Sequence, residues 1–134
     1  MSWPLRFGLI GYGLWGRHHA AAIAAAPGAV LAGIACASQA TAAHARQDFP
    51  AVPVDVGYRA LLDRADIDAV AVVVPNHLHA EVGVAALEAG KDVLLEKPMA
   101  TTLEDCDRLL AAARASGRVL TIGHELRLSA STAE

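Results

Sequence analysis

Short apolar runs alternate with longer alanine-rich segments along most of the chain. The short runs are rich in Val, Ile and Leu and predict strands, whereas the longer segments repeat apolar residues at helical spacing. This alternation is typical of βαβ units, in which consecutive strands are parallel. We therefore predict an α/β fold: a doubly wound parallel sheet in three α/β/α layers, forming a single domain.

The strand predictions depend on apolar runs bounded by glycine, proline or polar residues. Residues 69–74 are apolar at every position, as expected of a central strand that is covered on both faces. Residues 49–54 contain two prolines and are expected to form only a short edge strand or an extended link. The other predicted strands are residues 6–10, 30–35, 92–95 and 119–122.

The helix predictions use end signals as well as periodicity. Gly90 is expected to close one helix as a left-handed cap, and Gly117 is expected to stop the last one. Either Thr101 or Thr102 is the expected N-cap of that last helix. The predicted helices are residues 14–26, 41–48, 58–64, 78–89 and 102–116.

Composition narrows the range of partners. The chain has 134 residues, enough for one domain, and a formal net charge of −3 with acids and bases interspersed. Because there is no basic stripe and no long apolar run, we expect neither a nucleic-acid partner nor a membrane span. Cys36 and Cys106 are far apart and fit no metal-site spacing, so we expect no metal and a reducing, cytoplasmic location.

Histidines occur in two close pairs, His18 with His19 and His77 with His79. A metal site usually adds a third ligand at compatible spacing and a carboxylate behind the ligands. We therefore expect structural or capping roles for these histidines. His124 differs because it follows the last predicted strand, at the edge where ligands bind, and it is a candidate cofactor contact.

The pattern Gly-x-Gly-x-x-Gly follows the first predicted strand and opens the first predicted helix. Gly11 allows the sharp turn, Gly13 lets the backbone approach a pyrophosphate, and Gly16 allows the helix to pack closely on the strand. Free N–H groups and the helix dipole then favour phosphate. This context predicts a Rossmann-type dinucleotide site, whereas the alternative is a tight turn that binds no ligand. The other members of the turn, also expected beside the cofactor, are Tyr12, Leu14 and Trp15.

The end of the second predicted strand bears on the choice of cofactor. Rossmann domains usually carry an acid there that holds the ribose 2′-hydroxyl and would repel a 2′-phosphate. Cys36, Ala37 and Ser38 occupy this position, and no acid is present. Ser38 can donate to a 2′-phosphate, although no arginine is adjacent. We therefore expect NADP or NAD, with a slight preference for NADP.

Polar residues follow two other predicted strands: Pro75 and Asn76 follow one, and Glu96 and Lys97 follow the next. Ligands bind at the carboxyl ends of the strands in open α/β sheets, so these residues share an edge with the glycine turn. A lysine there can donate to a substrate hydroxyl or carbonyl and take part in proton transfer. The alternative is an ordinary surface ion pair beside a turn proline.

Two motifs stand at a specific distance from each other: Val-Pro-Asn-His-Leu-His at residues 74–79, and Glu-Lys-Pro at the end of residues 89–98. Together with residues 8–19 and the closing Gly-His-Glu-Leu-Arg at residues 123–127, they resemble the glucose–fructose oxidoreductase / inositol dehydrogenase / MocA (Gfo/Idh/MocA) family. The resemblance covers nearly the whole chain. It implies the N-terminal nucleotide-binding domain of an oxidoreductase.

The resemblance implies roles for single residues. Lys97 would be the catalytic residue, beside the nicotinamide, where it helps to polarise or deprotonate a substrate hydroxyl. Glu96 and Asn76 would line the nicotinamide ribose, and Pro98, often preceded by a cis bond in this family, would orient the turn. Arg127 would lie near the cofactor and the domain junction. The remaining expected cofactor contacts are Pro75, His79 and His124. The family's substrates are mostly sugars, polyols and their derivatives.

The resemblance also implies a second, largely β domain that supplies the substrate pocket and the oligomer interface. We expect residues 1–128 to form the NAD(P)-binding domain and residues 129–134 to be a tail or the start of that second domain. The chain alone is then expected to bind dinucleotide without turnover, and to form a homo-oligomer through apolar surface beyond its last strand. The alternative is a non-enzymatic module that senses a dinucleotide or binds a partner.

Overall fold

The computed structural model describes residues 3–129, and within that range it contains a six-stranded sheet with all neighbours parallel. The strands are β1 (Leu5–Ile10), β2 (Ala29–Cys36), β3 (Val54–Val56), β4 (Ala69–Val72), β5 (Asp92–Glu96) and β6 (Leu120–Gly123). Their order is β3-β2-β1-β4-β5-β6, so the chain winds outward from β1 in both directions. This is the Rossmann order, and it confirms the predicted doubly wound sheet.

The helices connect successive strands. Within the described residues they are α1 (Leu14–Ala25), α2 (Gln39–Asp48), α3 (Arg59–Leu62), α4 (His79–Glu88) and α5 (Leu103–Ser116). The longest of them, α5, has 14 residues. In the part of the chain that the structure describes, no helix is both long and apolar enough to cross a bilayer.

The hydrophobic core lies on both faces of the sheet. Successive strand residues point to opposite faces, so that Leu9 packs under α1 and α2 while Ile10 packs on the side of α3, α4 and α5. In the same way, Ala71 faces the first pair of helices and Val70 faces the other three. Two core clusters separated by one sheet give the three predicted α/β/α layers.

The helix ends follow local signals. The Thr102 hydroxyl accepts a hydrogen bond from the Asp105 N–H at 3.1 Å at the start of α5, and Gly117 ends that helix with φ +66°. The Ser38 hydroxyl accepts from the Thr41 N–H at 3.2 Å, so α2 begins two residues earlier than predicted. Both N-caps are residues typical of helix starts, but only the Thr102 cap of α5 was predicted.

Several element bounds differ from the predictions; β4, for example, ends at Val72 rather than at residue 74. The edge strand is Val54–Val56, later than residues 49–54, because it pairs with β2 only from the Pro53 carbonyl onward, which accepts from the Ile34 N–H at 3.0 Å. Glu96 is the last residue of β5 rather than the first residue after it. A 3₁₀ helix, Glu125–Leu128, follows β6 where no element was predicted. Most of the predicted tail, residues 130–134, lies outside the described residues.

Candidate functional site

The carboxyl ends of β1, β2 and β4 meet at one edge of the sheet. The Gly11 N–H donates to the Ala35 carbonyl at 2.9 Å, and the Val73 N–H donates to the Ile10 carbonyl at 2.8 Å. A groove of about 540 Å³ opens at this edge. Its walls are the glycine turn, the end of β2, the turn after β3, the residues after β4 and the start of α4. We call it the main groove.

Two glycines of the turn have different roles. Gly11 has φ +103°, and a Cβ at that position would lie 2.0 Å from the Val73 carbonyl oxygen. The fold itself therefore requires glycine there. Gly13 is exposed in the main groove, and a Cβ built on it would meet no atom within 4 Å. Nothing in the described fold requires Gly13 to lack a side chain, and its bare backbone leaves room for a ligand to approach closely.

The amino end of α1 forms one wall of the main groove. Gly13, the N-cap, has an extended backbone and supplies no side-chain cap, and the first turn of α1 contains no acid. Gly16 lets this turn pack against Gly11, since a Cβ would lie 2.2 Å from the Gly11 carbonyl oxygen. The N–H groups of a helix's first turn and its dipole attract anions. This wall therefore suits a phosphate.

Tyr12 stabilises the glycine turn from within the core. It is buried, and its hydroxyl donates to Asp48 Oδ2 at the end of α2 at a distance of 2.7 Å. Burial, together with this hydrogen bond, raises the pKa of Tyr12 to about 12. Tyr12 and the largely exposed Leu14 both line the main groove.

The end of β2 forms the next wall. Cys36 is buried, and burial raises the pKa of its thiol. Cys36 and the exposed Ala37 line the main groove. Ser38 is exposed but lies outside the groove's lining, and its hydroxyl is engaged with Thr41 in the cap of α2. Thr41 takes its place in the lining.

The turn after β3 supplies groove residues that the sequence reasoning missed. The Gly57 N–H donates to the Cys36 carbonyl at 2.8 Å, which sets this turn beside the end of β2. Tyr58 follows it, and its hydroxyl donates to Glu81 Oε1 of α4 at 3.1 Å. The Arg59 guanidinium lies 5.3 Å from the centre of the Tyr58 ring. The sequence signal that could have predicted these groove residues is their position directly after a strand. Other unpredicted lining residues are Val73, Val74, Leu78 and Val82.

Glu96 joins the glycine turn to the Lys97 turn. Its Oε1 accepts hydrogen bonds from Trp15 Nε1 at 2.9 Å and is 2.8 Å from His19 Nε2, while its Oε2 accepts from the Lys97 N–H at 3.0 Å. The side chain is buried. Burial by itself raises the pKa of Glu96, but the hydrogen bonds from His19, Trp15 and Lys97 outweigh it and lower the pKa below its usual value. Glu96 is therefore an ionised acceptor that orients its neighbours.

Trp15 lies between the main groove and a second groove of about 460 Å³. The second groove lies beside α1 and over β5 and β6, and it is lined by Trp15, Glu96, His124 and Arg127 among others. His124 and Arg127 therefore lie on the far side of Trp15 from the glycine turn. The Trp15 ring is half exposed, consistent with packing at the border of the two grooves.

Lys97 is exposed at the end of β5, and its bond to Pro98 is cis, as the resemblance implied. Among the described residues, Glu96 forms an ion pair with His19 and none with Lys97. The ordinary Glu–Lys surface pair considered as an alternative is therefore not what the fold contains. An exposed ammonium beside ordered turns is free to contact a bound molecule.

Pro75, Asn76 and His79 lie on the turn between β4 and α4. Pro75 lines the main groove, and Asn76 is exposed at the start of a 3₁₀ helix, Asn76–Leu78. His79 lines neither groove, because it is only 1% exposed beneath the turn. Within residues 3–129, no group of three or more His, Cys, Asp or Glu side chains is placed to hold a metal ion.

A family profile described as "Oxidoreductase family, NAD-binding Rossmann fold" (GFO_IDH_MocA) matches residues 5–124. The chain is 38% identical over 128 residues, 95% of its length, to the uncharacterised oxidoreductase YdgJ of Escherichia coli, and these residues are 36% of that protein. It is 39% identical over 123 residues, 87% of its length, to inositol 2-dehydrogenase 1 of Saccharopolyspora erythraea, covering 35% of that protein.

The fold is similar to that of a solved 3-ketoreductase from Actinomadura kijaniata, a structure that contains NADP and TDP-benzene. The TM-score is 0.82 at 39% identity, over 90% of this chain and 37% of that one. The chain thus spans roughly a third of the length of the relatives it matches.

Proposed function

This chain belongs to the Gfo/Idh/MocA family of oxidoreductases, as an NAD-binding Rossmann domain, and from that premise we propose that its main groove binds NADP or NAD for hydride transfer. The proposed substrate is a sugar, a polyol or a related hydroxy or keto compound, since relatives are named for an inositol and for 1,5-anhydro-D-fructose. This chain corresponds to roughly a third of its relatives' length, and the proposed hydride transfer is an activity of a protein of that whole length.

The observation that carries the proposal is the open space above Gly13. The position is exposed in the main groove, and a side chain there would meet no protein atom within 4 Å. It also lies at the uncapped amino end of α1, where N–H groups and the helix dipole favour a pyrophosphate. A glycine that the fold does not need, placed where an anion would bind, supports a ligand-binding role.

Two features support the preference for NADP. No carboxylate follows β2, so the acid that usually repels a 2′-phosphate at this position is missing. The sequence offered no adjacent arginine, but Arg59 stacks on Tyr58, and Tyr58 lines the main groove next to the end of β2. We propose that Arg59, together with Ser38 at the amino end of α2, attracts the 2′-phosphate.

We propose Lys97 as the group that handles the proton of the substrate hydroxyl. It is exposed at the carboxyl edge, and its backbone N–H is held by the Glu96 carboxylate at 3.0 Å. An ammonium can donate a hydrogen bond to a carbonyl oxygen and, once deprotonated, accept the proton of a hydroxyl. The bound dinucleotide supplies or accepts the hydride.

Titration of the chain with NADPH and with NADH, followed by nucleotide fluorescence, tests the proposal. We expect saturable binding of both, tighter for NADPH. Arg59→Gln should weaken NADPH about tenfold and leave NADH unchanged, because a charge-assisted contact to one phosphate is lost. Arg108→Gln, on α5, is the matched control and should change neither. Failure of the wild-type chain to bind either nucleotide would overturn the proposal.

We further propose a reducing, cytoplasmic location and a homo-oligomeric assembly. The first is supported by two free thiols, Cys36 and Cys106. The second is supported by exposed apolar side chains on either side of β6, where Val119, Leu126 and Leu128 are 58%, 71% and 89% exposed. Sedimentation of the chain over a range of concentrations tests the assembly, and a monomer at all of them would contradict it.

A further inference from the structure

A buried histidine lies beneath the turns that follow β4 and β5, which carry Asn76 and Lys97, the residues expected beside the nicotinamide. His79 is the first residue of α4 and is 1% exposed. Its Nδ1 is 2.6 Å from the Pro98 carbonyl oxygen, and its Nε2 is 3.0 Å from the Val74 carbonyl oxygen. Both ring nitrogens therefore face backbone acceptors that belong to different turns.

The two carbonyl acceptors lie next to residues of the candidate site. The Val74 carbonyl directly precedes Pro75 and Asn76, and the Pro98 carbonyl directly follows Lys97. One imidazole ring thus spans the ends of β4 and β5 on the side away from solvent. A neutral ring donates to one of these carbonyls through the nitrogen that carries its hydrogen, and a doubly protonated ring donates to both. The doubly protonated ring therefore joins the two turns through hydrogen bonds, whereas the neutral ring bonds one turn and packs against the carbonyl of the other.

The Lys97 turn is held from its other side as well. The Glu96 carboxylate accepts from the Lys97 N–H, and the same carboxylate is hydrogen-bonded to Trp15 and His19 on α1. The Lys97 backbone therefore lies between a contact to α1 and a contact to α4. Fixing the backbone on both sides limits the positions available to the exposed ammonium at the end of a long, flexible side chain.

We propose that His79 is a positioning residue, which couples the Pro75–Asn76 turn to the Lys97–Pro98 turn and thereby shapes the nicotinamide end of the site. It acts through backbone carbonyls and does not touch the cofactor. The proposal rests on the proposed dinucleotide function. It assigns His79 an effect on the nicotinamide half of the cofactor only, since the glycine turn and the end of β2, which face the other half, are held by other contacts.

Two ligands separate that effect from a general loss of structure. Bound as proposed, NADPH would contact both the adenosine and the nicotinamide ends of the site, whereas ADP carries only the adenosine and the two phosphates. His79→Leu removes both polar contacts while filling the space, and His79→Gln retains one amide donor. The control is His77→Gln, because His77 lies in the same turn and is exposed.

We expect His79→Leu to weaken NADPH binding about fivefold, the equivalent of one hydrogen bond, with ADP affinity unchanged. His79→Gln should lie between His79→Leu and the wild type, and His77→Gln should match the wild type. Equal losses for NADPH and ADP, or no loss for either, would overturn the proposal. A wild-type chain that binds neither ligand would instead refute the proposed function.

Amide hydrogen exchange decides the proposal without any ligand, and also if His79→Leu fails to fold. The Lys97 N–H is hydrogen-bonded to Glu96, so its exchange rate reports how firmly the turn is held. We expect His79→Gln to speed exchange at Lys97 about fivefold relative to His77→Gln. In the wild-type chain, NMR should show a slowly exchanging ring N–H for His79. Unchanged exchange at Lys97, or a ring N–H that exchanges as fast as those of the exposed histidines, would contradict the coupling.

Discussion

The amino ends and the carboxyl ends of the strands form two edges of the sheet, and these use buried and half-buried polar side chains for different purposes. At the amino edge, the Lys91 ammonium donates to the Arg64 carbonyl at 2.6 Å and to the Ile67 carbonyl at 3.0 Å. Nearby, Asp68 accepts two hydrogen bonds from the Arg6 guanidinium, at 2.8 and 3.0 Å, and a third from the Arg6 N–H at 2.9 Å. Lys91, Asp68 and Arg6 therefore all have their partners within the described chain.

The carboxyl edge has buried polar groups of the same kind, but they hold turns whose outer surfaces are open. Glu96 and His79 are as well partnered as Lys91 and Asp68. Above them, however, Gly13 faces empty space and Lys97 is exposed. At the amino edge these hydrogen bonds stabilise the fold alone. At the carboxyl edge they also position turns that are open to a ligand. Substitutions at the amino edge should therefore affect stability alone, whereas those at the carboxyl edge should separate stability from binding.

The largest expected effect is that of Gly11→Ala at the carboxyl edge. The substitution forces a side chain into a left-handed conformation and places its Cβ 2.0 Å from the Val73 carbonyl oxygen. We expect a loss of more than about 3 kcal/mol in the free energy of unfolding, measured by urea denaturation. Gly13→Ala is the comparison, and it should cost less than about 1 kcal/mol while weakening NADPH binding at least about tenfold. Equal stability losses would remove the distinction between the two glycines.

Lys91→Met and Lys97→Met compare one lysine from each edge. Lys91→Met removes both donors and leaves the Arg64 and Ile67 carbonyls without them, so we expect a loss of about 2 kcal/mol in the free energy of unfolding. Lys97→Met should change stability by less than about 0.5 kcal/mol, because the side chain is exposed. Dinucleotide affinity should be unchanged by Lys91→Met. A stable Lys91→Met variant with weakened binding would reverse the assignment of the two edges.

Glu96→Gln tests whether the carboxyl-edge network needs a charge. The amide that replaces the carboxylate offers one acceptor oxygen where Trp15, His19 and Lys97 now approach two. We expect a loss of about 1 to 2 kcal/mol in stability and weaker NADPH binding, with ADP affected less. The aromatic signal of Trp15 in near-ultraviolet circular dichroism should also change. An unaltered Trp15 signal with full NADPH affinity would show that the network has no part in the site.

The smallest expected effect is on the pH dependence of stability in acidic solution. The Arg6 hydrogen bonds lower the pKa of Asp68 from 3.8 to about 2. Because the folded-state pKa is depressed, the stabilisation is complete above the unfolded-state value and is lost as the pH falls through about 4 towards 2. Asp68→Asn should therefore make thermal unfolding less dependent on pH across that interval. Asp105→Asn on α5 is the control, and the same flattening in both variants would contradict a specific role for the Arg6–Asp68 pair.

Much of the fold could be predicted from short-range patterns. The apolar run around β4 predicted a central strand, and β4 does lie in the middle of the sheet. The Gly-x-Gly-x-x-Gly turn between a strand and a helix predicted the order of β1 and α1. These signals are local because strand pairing and helix formation depend on side-chain periodicity and on backbone conformations that neighbouring residues set.

The site could be predicted only in part. Cys36, Ala37 and Pro75 line the main groove together with the glycine turn. Lys97 follows β5 at the same edge of the sheet but lies outside that lining. Three features could not be derived: the stacking of Arg59 on the groove residue Tyr58, the burial of Glu96, and the position of His79 beneath two turns. The last two arise from contacts between residues far apart in the sequence, which no spacing reveals. Tyr58 and Arg59 are neighbours in the sequence, but they reach the groove only because β3 pairs with β2.

The sequence by itself determined the family, the parallel sheet and the glycine turn, because each depends on residues within one strand–helix unit. Only the tertiary structure decided how the ends of those units meet. The strand order sets the ends of β2 and β3 side by side, and likewise those of β4 and β5. As a result, His79 of one unit reaches the turn of the next, and Glu96 reaches back to Trp15 and His19. Buried polar atoms need hydrogen-bond partners, and the tertiary fold, rather than the local sequence, decides which residues supply them.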